Sequence, residues 1–379
     1  MYRKNKTSKV YPTKQGHMVL RGKIISAATA LSFAMSLLLF PALSTATEDS
    51  SGDPPDDMPD GSRNILENSK VRRFIDEMVT QHDYPREPLR ALLAKVRFMP
   101  ELHDRIRKPA EAFPWNRYRK IFLTPARING GVQFWRTHKD ILTRAEEVHG
   151  VPAKVLVAIL GVETYFGKRK GKYPVLNSLA TLAFQSPTRA DFFRSELKQF
   201  LLLINEEEGL DAHELKGSYA GAMGLPQFIS SSYRRYAVDF DGDGRRDLIN
   251  SIPDAIGSAA HYLAEHGWQR DSGVAAPARI DKTAITPDLL MKKRGSQPHM
   301  TFSALKNQGV TTEASIPDDA KVALIELEME TGSVYWLGQQ NFYTITRYNH
   351  SNLYAMAVHQ LAEAIHARYS QDKKQTLPE

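Results

Sequence analysis

Glu163 is the residue of this chain best placed for proton chemistry. It lies in the apolar stretch 154–167, which reads Lys-Val-Leu-Val-Ala-Ile-Leu-Gly-Val-Glu-Thr-Tyr-Phe-Gly. Pro152, just before it, suits a first helical turn, where its missing N–H costs nothing. Leu156, Ile159 and Leu160 precede Glu163 by seven, four and three residues, so on a helix they share its face. That is the face a helix buries, and burial disfavours a charged carboxylate and raises its pKa. Tyr165 and Phe166 follow directly and are placed to exclude water. A carboxyl still protonated near neutral pH is what general-acid attack on a glycosidic oxygen requires. A buried glutamate paired with an arginine, or closing a loop, would carry the same local signature, and the stretch alone leaves both readings open.

A second constellation is acidic. Asp239, Asp241 and Asp243 alternate along the chain and Gly244 follows, which matches positions 1, 3, 5 and 6 of an EF-hand calcium loop. Arg245 stands at position 7, where a backbone carbonyl serves as ligand, and Asp247 at position 9 could act through water. Position 12 is Asn250 in place of the bidentate glutamate, and the next strong oxygen donor is Asp254. Three aspartates this close repel one another without a cation, which favours a metal over a solvated acidic turn. A structural Ca²⁺ is the expected cofactor, and no organic cofactor is expected.

The elements that must position these residues are mostly helical. Val71, Phe74, Ile75, Met78 and Val79 form one stripe, and Leu89, Leu92, Leu93 and Val96 a second. Gly130-Gly131 precedes a long helical pattern carrying Trp135, Ile141, Leu142, Ala145 and Val148, with His149-Gly150 as its stop. Residues 176–184, 189–204 and 254–266 also read as helices, and Glu206-Glu-Glu208 as a solvated helix end. Between them, residues 217–228 are dense in glycine, where backbone can approach a ligand closely. In residues 322–330, Ile325, Leu327 and Met329 alternate with Glu326, Glu328 and Glu330, the pattern of a half-buried strand with a wet glutamate face. Thr331-Gly-Ser333 turns it into a second short run, and residues 342–368 return to helix.

The first 47 residues hold seven basic side chains and no acidic one, followed by an apolar run, Pro41 and small residues up to Ala46. This is the pattern of an export signal cleaved after Ala46, with Met18 as an alternative start and an uncleaved anchor as the other reading. The chain's formal charge of +7 is all in that leader, so the remainder is formally neutral and carries no sign of nucleic-acid binding. There is no cysteine, which excludes disulfides, a thiol nucleophile, cysteine-bound zinc and a lipid-bearing cysteine. The expected organisation is a signal at 1–46, an acidic Pro-rich tether at 47–61 and a helical region at 62–268. A sheet-containing insertion at 269–338, a C-terminal helix at 339–370 and a tail at 371–379 follow.

Five motifs occur in order: Gly161-Val-Glu-Thr-Tyr-Phe-Gly167, Ser218-Tyr-Ala-Gly-Ala-Met-Gly-Leu-Pro-Gln-Phe228, Asp239-Phe-Asp-Gly-Asp-Gly244, Asp254-Ala-Ile-Gly257 and Phe342-Tyr-Thr-Ile-Thr-Arg-Tyr-Asn349. On these, the chain resembles the lytic murein transglycosylase B family over roughly residues 65–368. The resemblance implies a mainly α fold, α+β overall: a lysozyme-like helical core, flanking helices and a small sheet-bearing insertion. It implies cleavage of the β-1,4 bond between N-acetylmuramic acid and N-acetylglucosamine in peptidoglycan, leaving 1,6-anhydromuramic ends. Glu163 matches the family's catalytic glutamate. Ser218 and Gln227 match residues that orient it or bind an N-acetyl sugar, with turn chemistry and backbone bonding as the other reading. Tyr262, Tyr348 and Tyr354 would offer flat faces to sugar rings, Asn349 an amide to the acetamido group, and Arg189 a contact on the peptide side. Asp254 matches the residue that closes the family's lengthened calcium loop. Peptidoglycan strands are the implied partner, cell-wall synthases or amidases are candidate neighbours, and the implied form is monomeric, periplasmic and free of a lipid anchor. A hydrolytic muramidase on the same scaffold, an inactive peptidoglycan-binding protein and a secreted calcium-binding structural protein are the alternatives.

Overall fold

The computed structural model describes residues 65–107, 113–281, 283, 285–286, 289–290 and 297–376. The expected export signal at 1–46, the tether at 47–61 and the end of the tail at 377–379 lie outside the described residues. The chain begins with α1 (Ser69–His82), α2 (Arg86–Ala94), α3 (Leu102–Arg107) and α4 (Trp115–Phe122). Next come α5 (Pro125–Thr137), α6 (Lys139–His149), α7 (Ala153–Thr164), β1 (Tyr173–Pro174), α8 (Val175–Gln185) and α9 (Ala190–Glu206). After β2 (Lys216–Gly217), α10 (Ser230–Tyr236) and α11 (Ile252–Glu265), the chain makes β3 (Ala275–Ala278), β4 (Met300–Thr301), α12 (Phe302–Asn307), β5 (Lys321–Glu328) and β6 (Ser333–Gly338). It closes with α13 (Gln340–Tyr348) and α14 (Asn352–Thr376). The fold is mainly α with small antiparallel sheets.

Helix α7 is the core of the helical body. Every residue from Val155 to Thr164 is buried, so the helix is enclosed on all sides. It packs on α5, α6 and α14. The approach is close enough to need glycine: a Cβ on Gly131 would lie 2.4 Å from Ile365 of α14, and one on Gly161 2.7 Å from the Phe166 ring. This explains a departure from the sequence pattern. Gly130 and Gly131 do not precede a helix but sit inside α5, where close packing outweighs the penalty of about 1 kcal/mol for helical glycine. The pattern that follows is two helices, divided at His138, and Gly150 ends the second in the left-handed conformation.

Two other expectations are corrected. The C-terminal helix at 339–370 is two helices, because Asn349 adopts an extended backbone (φ −145°, ψ 124°). The Ser351 hydroxyl then accepts the Tyr354 N–H (3.3 Å), capping the first turn of α14. The acidic end of α9 is not simply solvated either. Glu207 is buried and accepts the Arg246 Nε–H (2.6 Å), while Glu206 accepts that of Arg234 (2.9 Å).

The larger sheet has the order β3-β6-β5-β4 with every neighbouring pair antiparallel. In β5, Ile325 and Leu327 are buried while Glu326 and Glu328 are exposed, as the alternation predicts. Phe302, Leu305, Val310, Val322, Leu324 and Leu337 belong to a core of their own beneath it.

Candidate active site

Helix α7 ends on a strained corner. Tyr165, Phe166 and Gly167 have φ of +54°, +60° and +84° in succession. For the two non-glycine residues this conformation costs roughly 1–2 kcal/mol each. Hydrogen bonds hold it: Tyr165 N–H donates to the Gly161 carbonyl (3.2 Å) and Phe166 N–H to that of Leu160 (3.1 Å). The buried Thr164 hydroxyl donates toward the Leu225 carbonyl (3.0 Å) and accepts the Gly167 N–H (3.0 Å). The Phe166 ring packs against Gly130 and Gly161 and 5.6 Å from Phe134. Glu163 thus stands on a step fixed from several sides.

Glu163 is 6% exposed, and its carboxyl accepts a hydrogen bond from the Tyr354 phenol (2.6 Å). Burial pushes its pKa up to about 7, and the Tyr354 hydrogen bond pulls the other way. The Tyr354 and Tyr348 phenols are held well above their ordinary range by burial and by the neighbouring Glu163. Tyr354 therefore stays a proton donor to the carboxylate throughout the neutral range. No basic side chain among the described residues pairs with Glu163 in an ion pair. The arginine-paired reading of this residue loses its ground.

A cavity of about 500 Å³ is lined by Arg189, Gln227, Tyr262 and Tyr348 among others. The fold brings those four predicted residues to one hollow, and Tyr348 connects it to Glu163 by stacking on Tyr354 (centroids 6.5 Å apart, planes 12°). Phe228, Tyr262 and Tyr348 pack with centroids 5.0–5.8 Å apart. Their phenols are committed to the scaffold: Tyr348 donates to the Pro226 carbonyl (2.7 Å) and Tyr262 to that of Arg347 (2.6 Å). What they present to a ligand is ring face.

Gln227, itself left-handed at φ +53°, donates its amide N–H to the carbonyls of Gly224 (2.9 Å) and Lys170 (3.1 Å). Arg189 caps α9 at φ +61° with its guanidinium carbon 4.4 Å from the Phe192 ring centroid. Glu163 itself, Ser218, Asn349 and Tyr354 do not line the cavity. The Ser218 oxygen accepts the N–H groups of Ala222 (3.0 Å) and Ala220 (3.3 Å), the turn chemistry its position allows. Asn349 is 2% exposed, yet neither atom of its amide has a protein partner. An orphaned buried amide costs about 1–3 kcal/mol, so it points to a ligand or water that completes it.

Sequence reasoning missed a second buried carboxyl in the cavity wall. Glu196 of α9 accepts the Ser231 N–H (3.0 Å), and burial pushes its pKa up. The signal was present: Glu196 falls between Phe193, Leu197 and Phe200 on the buried face of its helix. Arg235, Arg347 and His350 also line the cavity, from a short helix and from the residues around the α13–α14 break.

The acidic loop gathers three of its candidates. Asp239, Asp241 and Asp254 each bring one carboxylate oxygen to within 4.8 Å of the others. Asp254 is fully buried near the start of α11 and accepts N–H groups from Phe240 (2.7 Å) and Asp247 (2.8 Å). Burial raises its pKa. Asp239 accepts those of Gly242 (2.7 Å) and Gly244 (2.8 Å), both glycines being left-handed. Asp243 is not in the trio and takes the Arg245 N–H (2.9 Å), and Asp247 takes that of Ile249 (2.8 Å). None of the three gathered carboxylates forms an ion pair with a basic side chain among the described residues. Hard oxygen donors without a counter-charge fit a cation such as Ca²⁺. The loop also braces the corner: the Leu248 carbonyl accepts the Leu225 N–H (2.9 Å), and the Leu225 carbonyl accepts the Thr164 hydroxyl.

The chain is similar to known transglycosylases. The family model described as the transglycosylase SLT domain matches residues 67–363. Membrane-bound lytic murein transglycosylase B of Escherichia coli (strain K12) is 41% identical over 308 residues, covering 79% of this chain and 83% of its own. Among solved structures, catenated lytic transglycosylase SltB1 from Pseudomonas aeruginosa is 44% identical at a TM-score of 0.75, covering 80% of this chain and 98% of its own. The Escherichia coli lytic transglycosylase Slt35 in complex with calcium is 39% identical at 0.74, covering 83% of this chain and all (100%) of its own. SltB3 from Pseudomonas aeruginosa, in complex with NAG-anhNAM-pentapeptide, is 28% identical at 0.67, covering 78% of this chain and 79% of its own. The chain therefore belongs to the transglycosylase SLT domain family.

Proposed function

We propose that this chain is a peptidoglycan lytic transglycosylase in which Glu163 acts first as acid and then as base. The bond broken is the β-1,4 link from N-acetylmuramic acid to N-acetylglucosamine, and the product carries a 1,6-anhydromuramic end. The observation that carries the reading is the state of Glu163: buried, in no ion pair among the described residues, and with its pKa pushed up to about 7. Near neutral pH both of its protonation states are populated, as a group that must give and then retrieve a proton requires.

In the cycle, protonated Glu163 donates to the bridging oxygen, which leaves with the electron pair of the broken C–O bond. The oxocarbenium-like centre is shielded by the substrate's own N-acetyl group. Glu163, now a carboxylate held by the Tyr354 O–H, takes the proton of the sugar's 6-hydroxyl, whose oxygen closes on the anomeric carbon. Atoms balance without water. Tyr262 and Tyr348 present ring faces to the sugar, and the unpartnered Asn349 amide is suited to an acetamido group. Gln227, Ser218 and Arg189 complete the set.

Asp239, Asp241 and Asp254 are proposed to hold a structural Ca²⁺, with Asp243 and the Arg245 carbonyl as further donors; calcium in the solved Slt35 complex supports this. A bound cation would cancel the repulsion of the trio and keep the loop seated behind Leu225. A periplasmic location agrees with the exported-protein pattern of the N-terminal sequence. Among the described residues no helix is long and apolar enough to cross a membrane.

A hydrolytic muramidase is the second reading, favoured by one observation, the buried Glu196 in the cavity wall. Hydrolases of this kind use two carboxyls. Digestion of purified sacculi with mass spectrometry of the released muropeptides decides: anhydro ends support transglycosylation, and reducing ends overturn it.

A further inference from the structure

One buried charge has no place in this mechanism. Arg127 is 3% exposed and belongs to the first turn of α5, where the Thr124 hydroxyl accepts its N–H (3.2 Å). Its guanidinium carbon lies 5.1 Å from the Phe122 ring centroid and 5.0 Å from that of Tyr165, so two aromatic rings flank it. One Nη donates to the Ile121 carbonyl, while Nε is buried without a partner. No carboxylate pairs with it among the described residues. An unpaired buried cation is costly, and an apolar residue of similar volume would serve packing better.

What it touches is the corner after the catalytic glutamate. Tyr165 is the left-handed residue two positions beyond Glu163. We propose that Arg127 is a positioning residue: by fastening the Tyr165 ring to the α4–α5 junction, it holds the left-handed corner, and with it Glu163, in the geometry that proton transfer needs. Burial lowers its pKa only to about 10, so it remains a cation at neutral pH. Desolvation strengthens its attraction to the ring faces. Lys168 and Arg169 also stand over Tyr165 (5.4 and 5.5 Å), but both are exposed and screened by water. The substrate-facing residues lie on the other elements, so Arg127 should govern turnover and leave binding alone.

The inference rests on Glu163 being the acid and is tested beside it. Purified glycan oligomers bearing muropeptides are the substrate, and release is followed at several concentrations. Arg127→Met removes the charge and keeps most of the volume. It is expected to lower kcat about tenfold with KM unchanged, while Arg127→Lys, which keeps a cation between the rings, recovers most of the loss. Tyr165→Leu should lose as much as Arg127→Met, and the double variant no more than either, since both remove one clamp. Unchanged kcat in Arg127→Met with a lowered melting temperature would make the residue scaffolding only. A raised KM at constant kcat, or losses that multiply in the double variant, would also overturn the clamp. If Arg127→Met does not fold, Arg127→Lys and Tyr165→Leu still carry the test: near wild-type kcat in Tyr165→Leu refutes it. Full activity in Glu163→Gln would instead remove the reading on which the inference stands.

Discussion

Two regions of this molecule are built around carboxylates, and they do opposite things with them. At the end of α7 a single carboxyl is enclosed by apolar and phenolic groups, is given one hydrogen-bond donor, and has its pKa pushed up to about 7. Some eighty residues on, by the numbering, three carboxylates converge within 4.8 Å and are supplied with several backbone N–H donors, which hold them as acceptors. Dryness with one neutral donor makes a group that trades protons. Crowding with many donors makes a cluster of oxygens fixed in place for a cation to bridge. The carboxyl group is shared; the number of hydrogen-bond donors and of neighbouring carboxylates separates the two sites.

The comparison can be broken at either end. The largest effect is expected from Glu163→Gln, which keeps the shape and an acceptor for Tyr354 but cannot exchange a proton. Anhydro-muropeptide release, measured by mass spectrometry, should fall by a factor of about 10³ or more, within the range for general acid–base catalysis. Next is Asp254→Ala, which removes the buried member of the trio and leaves the N–H groups of Phe240 and Asp247 without their acceptor. It should cost about 3 kcal/mol, a fall in melting temperature of roughly 6–10 °C. Chelator should produce a comparable fall in the wild type and little further change in the variant.

A third effect has the opposite sign. The folded Glu163 pKa is raised above its ordinary value, so the stability associated with its proton is fully present below about pH 4.5. It is lost as pH rises through about 7, where the folded protein must carry a buried charge. Glu163→Gln should therefore be the more stable protein at pH 8, by about 3 kcal/mol, and show no advantage at pH 4. Denaturant melts at the two pH values check it. The smallest effect is expected from Asn349→Ala. Its unpartnered amide should contribute about 1 kcal/mol to holding an acetamido sugar, so KM on glycan oligomers should rise about fivefold with kcat nearly unchanged.

Much of this was legible in the sequence, for reasons that are local. The buried face around Glu163 follows from residues spaced by three, four and seven, and the alternation in β5 from a period of two. Gly150 stops α6 because a left-handed residue is needed there. What was not legible depends on partners distant in the chain. Gly130 and Gly131 read as a helix boundary because nothing local shows that Phe166 and Ile365 press against them. The break at Asn349 contains neither glycine nor proline, and its one local mark is the Ser351 cap that opens α14. Arg127 lies in a stretch interrupted by prolines, and its role needs a tyrosine 38 residues away. Glu196 lies between, since its buried face was readable but not the cavity in front of it.

The most direct test of the account is the titration of Glu163 itself, followed through its side-chain carboxyl carbon by NMR in ¹³C-labelled protein, with Glu163→Gln to assign the signal. A midpoint near 7 is predicted for the free protein. A midpoint in the ordinary range, near 4.5, would mean that the group is ionised at working pH, and the acid step proposed for it would have no proton to give.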